Sequence, residues 1–419
     1  MTRRRWLGLA GAGVLGLLGL RFVVPPLMRS RASRKLSAAA AAFAERCFEG
    51  IDRSRQWDMH AHLIGIGAGG TGCRIDPSML SHLHPVKRLQ FDVYKAGAGI
   101  DDPETADADF VVRLLTLHRG MNPQGKLLLL AMDHYVTADG KERTDLSPLF
   151  VPNEYALQLA AEHPEFEACA SIHPYRADCV DRLDAVAASG ARAIKWIPNS
   201  MGIDPASPLC DRFYRRLAEL GLPLLTHGGK EYAVDARRHQ EFGNPQRLRR
   251  ALDAGVRVIV AHCAAMGWFH DLDTRGKRKV ASFDLFMRMF TDKQYAPNLF
   301  GDISTLAHVH HGPRPLARLL KARELHTRLL YGTDYPLPAL RFLVIPGKLQ
   351  LTGLMDAEDR RLCDKLFDVN PLLFDFAVNR SLRLVEGGRT YRFSPAVFET
   401  ARVFPGVSRP TIPAAPASA

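Results

Sequence analysis

From residue 57 onward, short apolar runs rich in β-branched and aromatic residues alternate with longer stretches of helical period. That alternation predicts a parallel sheet built from βα units. Eight runs stand out, at 57–63, 127–133, 169–173, 191–197, 223–227, 256–262, 299–304 and 329–334. Helical patterns over 178–189, 208–220 and 244–254 each end on a glycine, Gly190, Gly221 and Gly255, placed where a left-handed C-cap is easiest to adopt. Runs four to six recur at about thirty residues each, the spacing of a regular (β/α)8 TIM barrel. The expectation is one α/β barrel domain over residues 36–404, with a C-terminal extension.

Two connections are too long for simple turns, 64–126 and 264–298. Both follow strands, so both should cover the C-terminal face, where barrel enzymes build their sites. Trp268, Phe269 and Phe283 in the second could touch an apolar ligand, but the underside of a lid is the simpler role. Residues 356–378 read as one helical element, and the Pro, Ala and Ser-rich tail 405–419 reads as disordered.

Composition changes this picture only at the start of the chain. The formal charge is +12, and much of it sits at Arg3, Arg4 and Arg5 and at Arg29, Arg31, Arg34 and Lys35. No nucleic-acid module accompanies it, so no nucleic-acid partner is expected. Between the two basic clusters lies an apolar, glycine-studded run, the layout of an export signal, and Thr2-Arg3-Arg4-Arg5-Trp6-Leu7 resembles a twin-arginine signal. Residues 1–35 are therefore expected to export the protein to the periplasm or to anchor it in a membrane by this segment. Seven cysteines, never spaced as CxxC, argue against a zinc ribbon or a disulfide framework and read as small buried residues. Nothing in the chain specifies an oligomeric state.

The candidate chemistry sits at strand ends. Asp58-Met59-His60-Ala61-His62 places two imidazoles two residues apart on a strand, which sends both to one side at metal-ligand spacing. His227 ends the fifth run, His262 the sixth and Asp334 the eighth. Any one of them alone reads as a buried packing residue. Together, at the same end of the barrel, they are hard to attribute to packing. Weaker candidates at the mouth are Asp133, His134, His173, Lys230, Arg237, Arg238 and His239, for which capping or surface roles serve as well.

These residues resemble the amidohydrolase superfamily, in particular the branch that includes the aminocarboxymuconate-semialdehyde decarboxylases. The matching residues are His60, His62, His227, His262 and Asp334, supported by the segment 190–196, the Asp302-Ile303-Ser304 ending of the seventh run and Asn370-Pro371-Leu372-Leu373-Phe374. The resemblance implies a divalent ion bound by His60, His62, His227 and Asp334, with His262 left to polarise substrate or water. Zn²⁺ is the first expectation, with Mn²⁺ or Fe²⁺ suited to the same ligands, and one ion is expected rather than two. Lys195 on the fourth run stands where some superfamily members carry a carbamylated lysine that bridges two ions; it could also hold a substrate carboxylate. Catalysis is expected from Asp334, as proton acceptor and donor, and His262. The implied activity is hydrolysis of an amide, ester or lactone in a small, anionic substrate. The alternatives are a non-oxidative decarboxylase using the same metal site and an inactive metal-binding surface protein.

Overall fold

The structure, a computed structural model, describes residues 35–275 and 278–404. The segment 1–35 expected to direct export or anchoring, apart from Lys35, and the tail 405–419 lie outside the described residues. Eight parallel strands follow one another round a barrel in chain order: β1 Trp57–His62, β2 Lys126–Leu130, β3 Phe166–Ala170, β4 Ala193–Trp196, β5 Leu224–His227, β6 Val258–Ala261, β7 Leu299–Asp302 and β8 Leu329–Leu330. The ring closes where the chain beyond β8 returns to β1. The His62 N–H donates to the Tyr335 carbonyl at 3.0 Å, and the Asp334 N–H donates to the His60 carbonyl at 2.7 Å. Gly332 permits that approach, because a Cβ there would lie 2.7 Å from the Cβ of His60. The (β/α)8 expectation is met.

Leu128, Leu130, Leu225 and Ile259 fill the barrel interior together with Trp57 and Met59, and a larger apolar layer joins the outside of the sheet to its helices. Along β1 the interior set of Trp57 and Met59 would continue at Ala61. A register shift between Asp58 and Ala61 changes the phase, so His60 and His62 face the mouth instead.

The lower end of the barrel is plugged by the turn Thr400–Val403 and by Phe404. The Thr400 hydroxyl donates to the Trp57 carbonyl at 2.6 Å, and Phe404 stacks on Trp57 with ring centroids 5.5 Å apart. Buried Glu167 lies there too, 2.5 Å from Lys126 Nζ and 2.7 Å from Arg192 Nε.

Several elements differ from the sequence expectation. β3 starts three residues earlier than the run at 169–173, because Glu167 interrupts the apolar pattern while sitting buried between two cations. The element at 356–378 is two helices, Ala357–Phe367 and Pro371–Ser381. Pro371 cannot continue a hydrogen-bonded helix, and the Asn370 side chain caps the new one by accepting from the Leu372 and Leu373 N–H groups. The pattern at 244–254 is a 3₁₀ turn, Pro245–Leu248, running into the helix Arg249–Asp253. Gly190, Gly221 and Gly255 take φ of 91°, 65° and 83°, as caps should. All seven cysteines are free and buried.

Both long connections are structured. The first folds the strand Arg74–Ile75, paired to Leu149–Phe150, then the helices Pro85–Gly97 and Ala106–Met121. The second makes a ribbon, Trp268–His270 against Lys279–Ala281, and the helix Ser282–Phe290. Phe269 and Phe283 are buried in it, whereas Trp268 is exposed.

Candidate metal centre

Five predicted residues meet at the C-terminal mouth. His60 Nε2 lies 3.3 Å and His62 Nε2 3.0 Å from Asp334 Oδ1, while His262 Nε2 lies 3.9 Å from Asp334 Oδ2. The His227 ring stands 5.3 Å from that of His262. The tightest trio is His60, His262 and Asp334, whose ligand atoms all lie within 4.8 Å of one another.

The far nitrogen of each ring is held differently. His60 Nδ1 is 2.6 Å from Asp302 Oδ2, and His227 Nδ1 is 3.3 Å from Glu231 Oε2. A carboxylate at Nδ1 keeps the proton there, so Nε2 presents its lone pair. The buried His227 Nε2 accordingly has no protein partner among the described residues. His262 Nδ1 instead meets hydroxyls, Ser304 Oγ at 2.9 Å and Thr305 Oγ1 at 3.2 Å, with the Ser304 carbonyl also at 3.2 Å.

Burial keeps the imidazoles of His60, His227 and His262 neutral. It drives His60 well below the ordinary range, with Lys195 adding to the effect, lowers His227, and brings His262 down to about 3. Burial alone would raise Asp334, but His60, His62 and His262 hold its carboxyl well below the usual carboxylate range. The mouth thus combines neutral nitrogens with one ionised carboxylate, a donor set that fits a divalent cation.

Lys195 reaches this cluster. Its Nζ lies 2.9 Å from His60 Nε2 in a fully buried position, and burial lowers its pKa. Burying an amine in a layer otherwise filled by Leu and Ile opposes folding, so packing does not account for it.

The backbone around the site is unusual. His262, Cys263, Ala264, Thr305 and Asp334 all have positive φ, at 56°, 47°, 51°, 59° and 60°. These turns end β6, β7 and β8 and turn the side chains toward the centre.

The weaker candidates are not brought to the centre. Asp133 is gripped by Arg176 at 2.7 and 2.8 Å, His173 Nε2 donates to the Met201 carbonyl at 3.0 Å, and Arg237 pairs with Asp235 at 2.8 Å. His239 Nε2 meets the Tyr135 hydroxyl at 2.9 Å, and His134 stacks on Phe150. Lys230 differs: its amine has no partner among the described residues, and its neighbour Glu231 holds His227.

Three residues were not foreseen as site members, His308, His310 and His311, in the turn that follows β7. Burial, reinforced by His310 and opposed by Asp334, brings His308 down to about 3, and neither of its ring nitrogens has a partner among the described residues. His311 Nε2 lies 3.3 Å from Thr305 Oγ1. The signal was available as three histidines in four positions, beginning six residues after the end of β7.

Among solved structures, a TIM-barrel protein of unassigned activity from Bordetella bronchiseptica is similar at 14% identity, covering 77% of this chain and 99% of its own, with a TM-score of 0.44. A protein provisionally assigned as a 2-pyrone-4,6-dicarboxylic acid hydrolase from Pseudomonas putida shares 16% identity over 76% of this chain and 97% of its own, with a TM-score of 0.43. The 5-carboxyvanillate decarboxylase from Sphingomonas paucimobilis shares 13% over 67% and 78%, with a TM-score of 0.37. No curated protein matches the sequence. The sequence model of the amidohydrolase family matches residues 57–361 of the 419, the stretch that carries the barrel strands and all five centre residues, and the chain belongs to that family.

Proposed function

We propose that the chain is a metal-dependent hydrolase that cleaves an amide, ester or lactone bond of a small anionic substrate, with one divalent ion held by His60, His62, His227 and Asp334. The observation that carries this reading is the contrast in Nδ1 partners. Carboxylates at His60 and His227 leave Nε2 as a ligand lone pair, whereas the nearest partner of His262 Nδ1 is the Ser304 hydroxyl at 2.9 Å, closer than the Ser304 carbonyl at 3.2 Å, and that hydroxyl can donate to Nδ1 and leave a proton on Nε2. When bound, the ion supplies Lewis acidity, polarising a carbonyl and acidifying water; Zn²⁺ suits the donors first, and Mn²⁺ or Fe²⁺ also suit them.

The chain's own groups do the rest. Asp334 Oδ1 faces His60 and His62 Nε2, the side on which the ion would be held, so Oδ2 is the oxygen placed to accept the proton of water and return it to the leaving group. His262 Nε2–H donates to the oxyanion that develops on the carbonyl. Lys195 and Lys230 are the cations placed to pair with a substrate carboxylate.

The test is elemental analysis beside turnover of a panel of lactones, acyl amides and aryl esters. About one ion per chain is expected, lost in His227→Ala and kept in His262→Gln, with both variants inactive. Equal metal loss in the two variants would overturn the division of roles, and hydrolysis that survives chelation would overturn the metal dependence. Lys195 supports two further readings. Carbamylated, it would bridge two ions with His262 as a ligand of the second, selected by about two ions per chain. Holding a carboxylate, it would serve a non-oxidative decarboxylase, selected by release of carbon dioxide.

A further inference from the structure

The first long connection walls a cavity of about 600 Å³ beside the metal centre. The centre residues themselves are not part of its wall. Its nearest wall residues are Ile64, two positions after His62, Pro336, two after Asp334, and Glu231, which holds His227. Tyr94, also in the wall, has its phenol raised by burial first and then by the charges of Glu231 and Asp334, which puts it within electrostatic reach of the centre.

The wall is mainly hydrocarbon, supplied by Ile66, Met79, Phe91, Ile100, Phe110 and Leu149 among others. Its polar groups are largely engaged with each other. Lys87 pairs with Asp76 at 2.6 Å and Arg237 with Asp235 at 2.8 Å. Lys95 donates to the Asp101 carbonyl at 2.8 Å, and Gln90 to the Ala233 carbonyl at 3.1 Å. Gln240 both accepts from the Glu231 N–H and donates to the Glu231 carbonyl. Buried Asp107 accepts from the Ile66 and Gly67 N–H groups at 2.7 and 3.1 Å and from the Thr71 hydroxyl, which fixes the loop that forms one side. Gly65 lets that loop lie flat, since a Cβ there would run into the Asp107 carboxylate. Charges satisfied in this way have little left to offer a ligand. The unpartnered cation of the wall is Lys230, next to Glu231 and so at the side of the metal centre.

We infer that this cavity is the substrate's side-arm subsite, and that the substrate carries a bulky hydrocarbon arm attached to the polar group held at the metal centre and Lys230. This rests on the proposed metal site for the polar group alone. Recognition of the arm is by burial of apolar surface, about 0.8 kcal/mol per methylene, which is roughly a fourfold gain in affinity for each carbon added.

The experiment is calorimetric titration of the full-length, Zn²⁺-loaded protein with straight-chain monocarboxylates from butanoate to dodecanoate. Affinity is expected to climb by about fourfold per methylene until the cavity is full, then to level off. Ile66→Trp, which narrows the cavity, should bring the plateau to shorter chains, and Phe91→Ala, which widens it, should move it to longer ones. Opposite shifts exclude general loss of structure as the cause. A series with no dependence on length, or a plateau that neither variant moves, overturns the proposal. Repeating the series on Asp334→Asn separates the two readings: loss of the metal anchor weakens every member by a common factor and leaves the increment per methylene intact. If that variant binds every member as tightly as the wild type, the metal reading has failed while the subsite stands.

Discussion

The two ends of the barrel treat buried polar groups in opposite ways. At the lower end, Glu167 sits between Lys126 and Arg192, and Thr400 both donates to and accepts from the backbone of Trp57. Each polar group there is answered by another part of the chain. At the upper end, His227 Nε2 and both nitrogens of His308 are buried with no partner among the described residues, and three imidazoles crowd one carboxylate. Both ends are built on the same strands, so strand composition does not explain the difference. The lower end is complete as folded, whereas the upper end keeps buried polar atoms free for the ligand proposed above.

That comparison can be broken most sharply at Asp334. Asp334→Asn should abolish stoichiometric metal content and reduce turnover by about 10²–10⁴-fold, the range for a lost acid–base group, with thermal stability of the metal-free protein unchanged. Elemental analysis, kinetics and a melting curve check the three parts. At the lower end the pattern should invert. Glu167→Leu strands two cations and should cost about 3 kcal/mol of stability while metal per chain is retained. A loss of metal equal to the loss of stability would mean that the two ends are not separable.

The lower pair also has a pH signature. Burial would raise Glu167, but Arg192 and Lys126 hold it below its ordinary 4.5. A depressed carboxyl stabilises the fold above that value and ceases to do so as the pH falls through its folded value. Melting temperature should therefore drop in acid more steeply in the wild type than in Glu167→Leu.

Smaller effects sharpen the contrast. Asp302→Asn keeps the shape beside His60 Nδ1 but weakens its hold on the proton, and metal affinity should fall by about 10–100-fold in a chelator competition. His308→Leu should leave metal content and stability nearly unchanged, because it removes two unanswered nitrogens, yet lower kcat/KM by about tenfold, the worth of one hydrogen bond to substrate. An unchanged kcat/KM would make His308 a packing residue.

Most of the barrel was legible in the sequence because its strands are continuous apolar runs, and a run that ends in His or Asp marks both the element and a residue of the mouth. What escaped was set by contacts distant in sequence. The register shift in β1 decides which face His60 and His62 occupy, and spacing alone gives only that they share one. Glu167 disguised the start of β3 because its partners lie 41 and 25 residues away. Asp302 stood out as the end of the seventh run but not as the partner of His60, and Glu231 gave no sign at all, since holding a histidine nitrogen leaves no spacing pattern. The apolar cavity was hidden for a related reason. Its walls join the two helices and the turns of 64–126 to Pro148, Leu149 and the segment 230–237, stretches too far apart in sequence to leave a common pattern.

The five left-handed residues at the mouth, His262, Cys263, Ala264, Thr305 and Asp334, have a consequence for how this sequence can change over generations. Non-glycine residues in that region each cost the fold on the order of 1 kcal/mol or more. A population selected for heat resistance alone would find glycine favoured at Cys263 and Ala264, and nothing in stability would defend Asp334. Lineages kept under selection for turnover would hold all five and seek robustness at the lower end. Variation among descendants of this chain should therefore collect away from the mouth, and a lineage that relaxes those turns has stopped using the site.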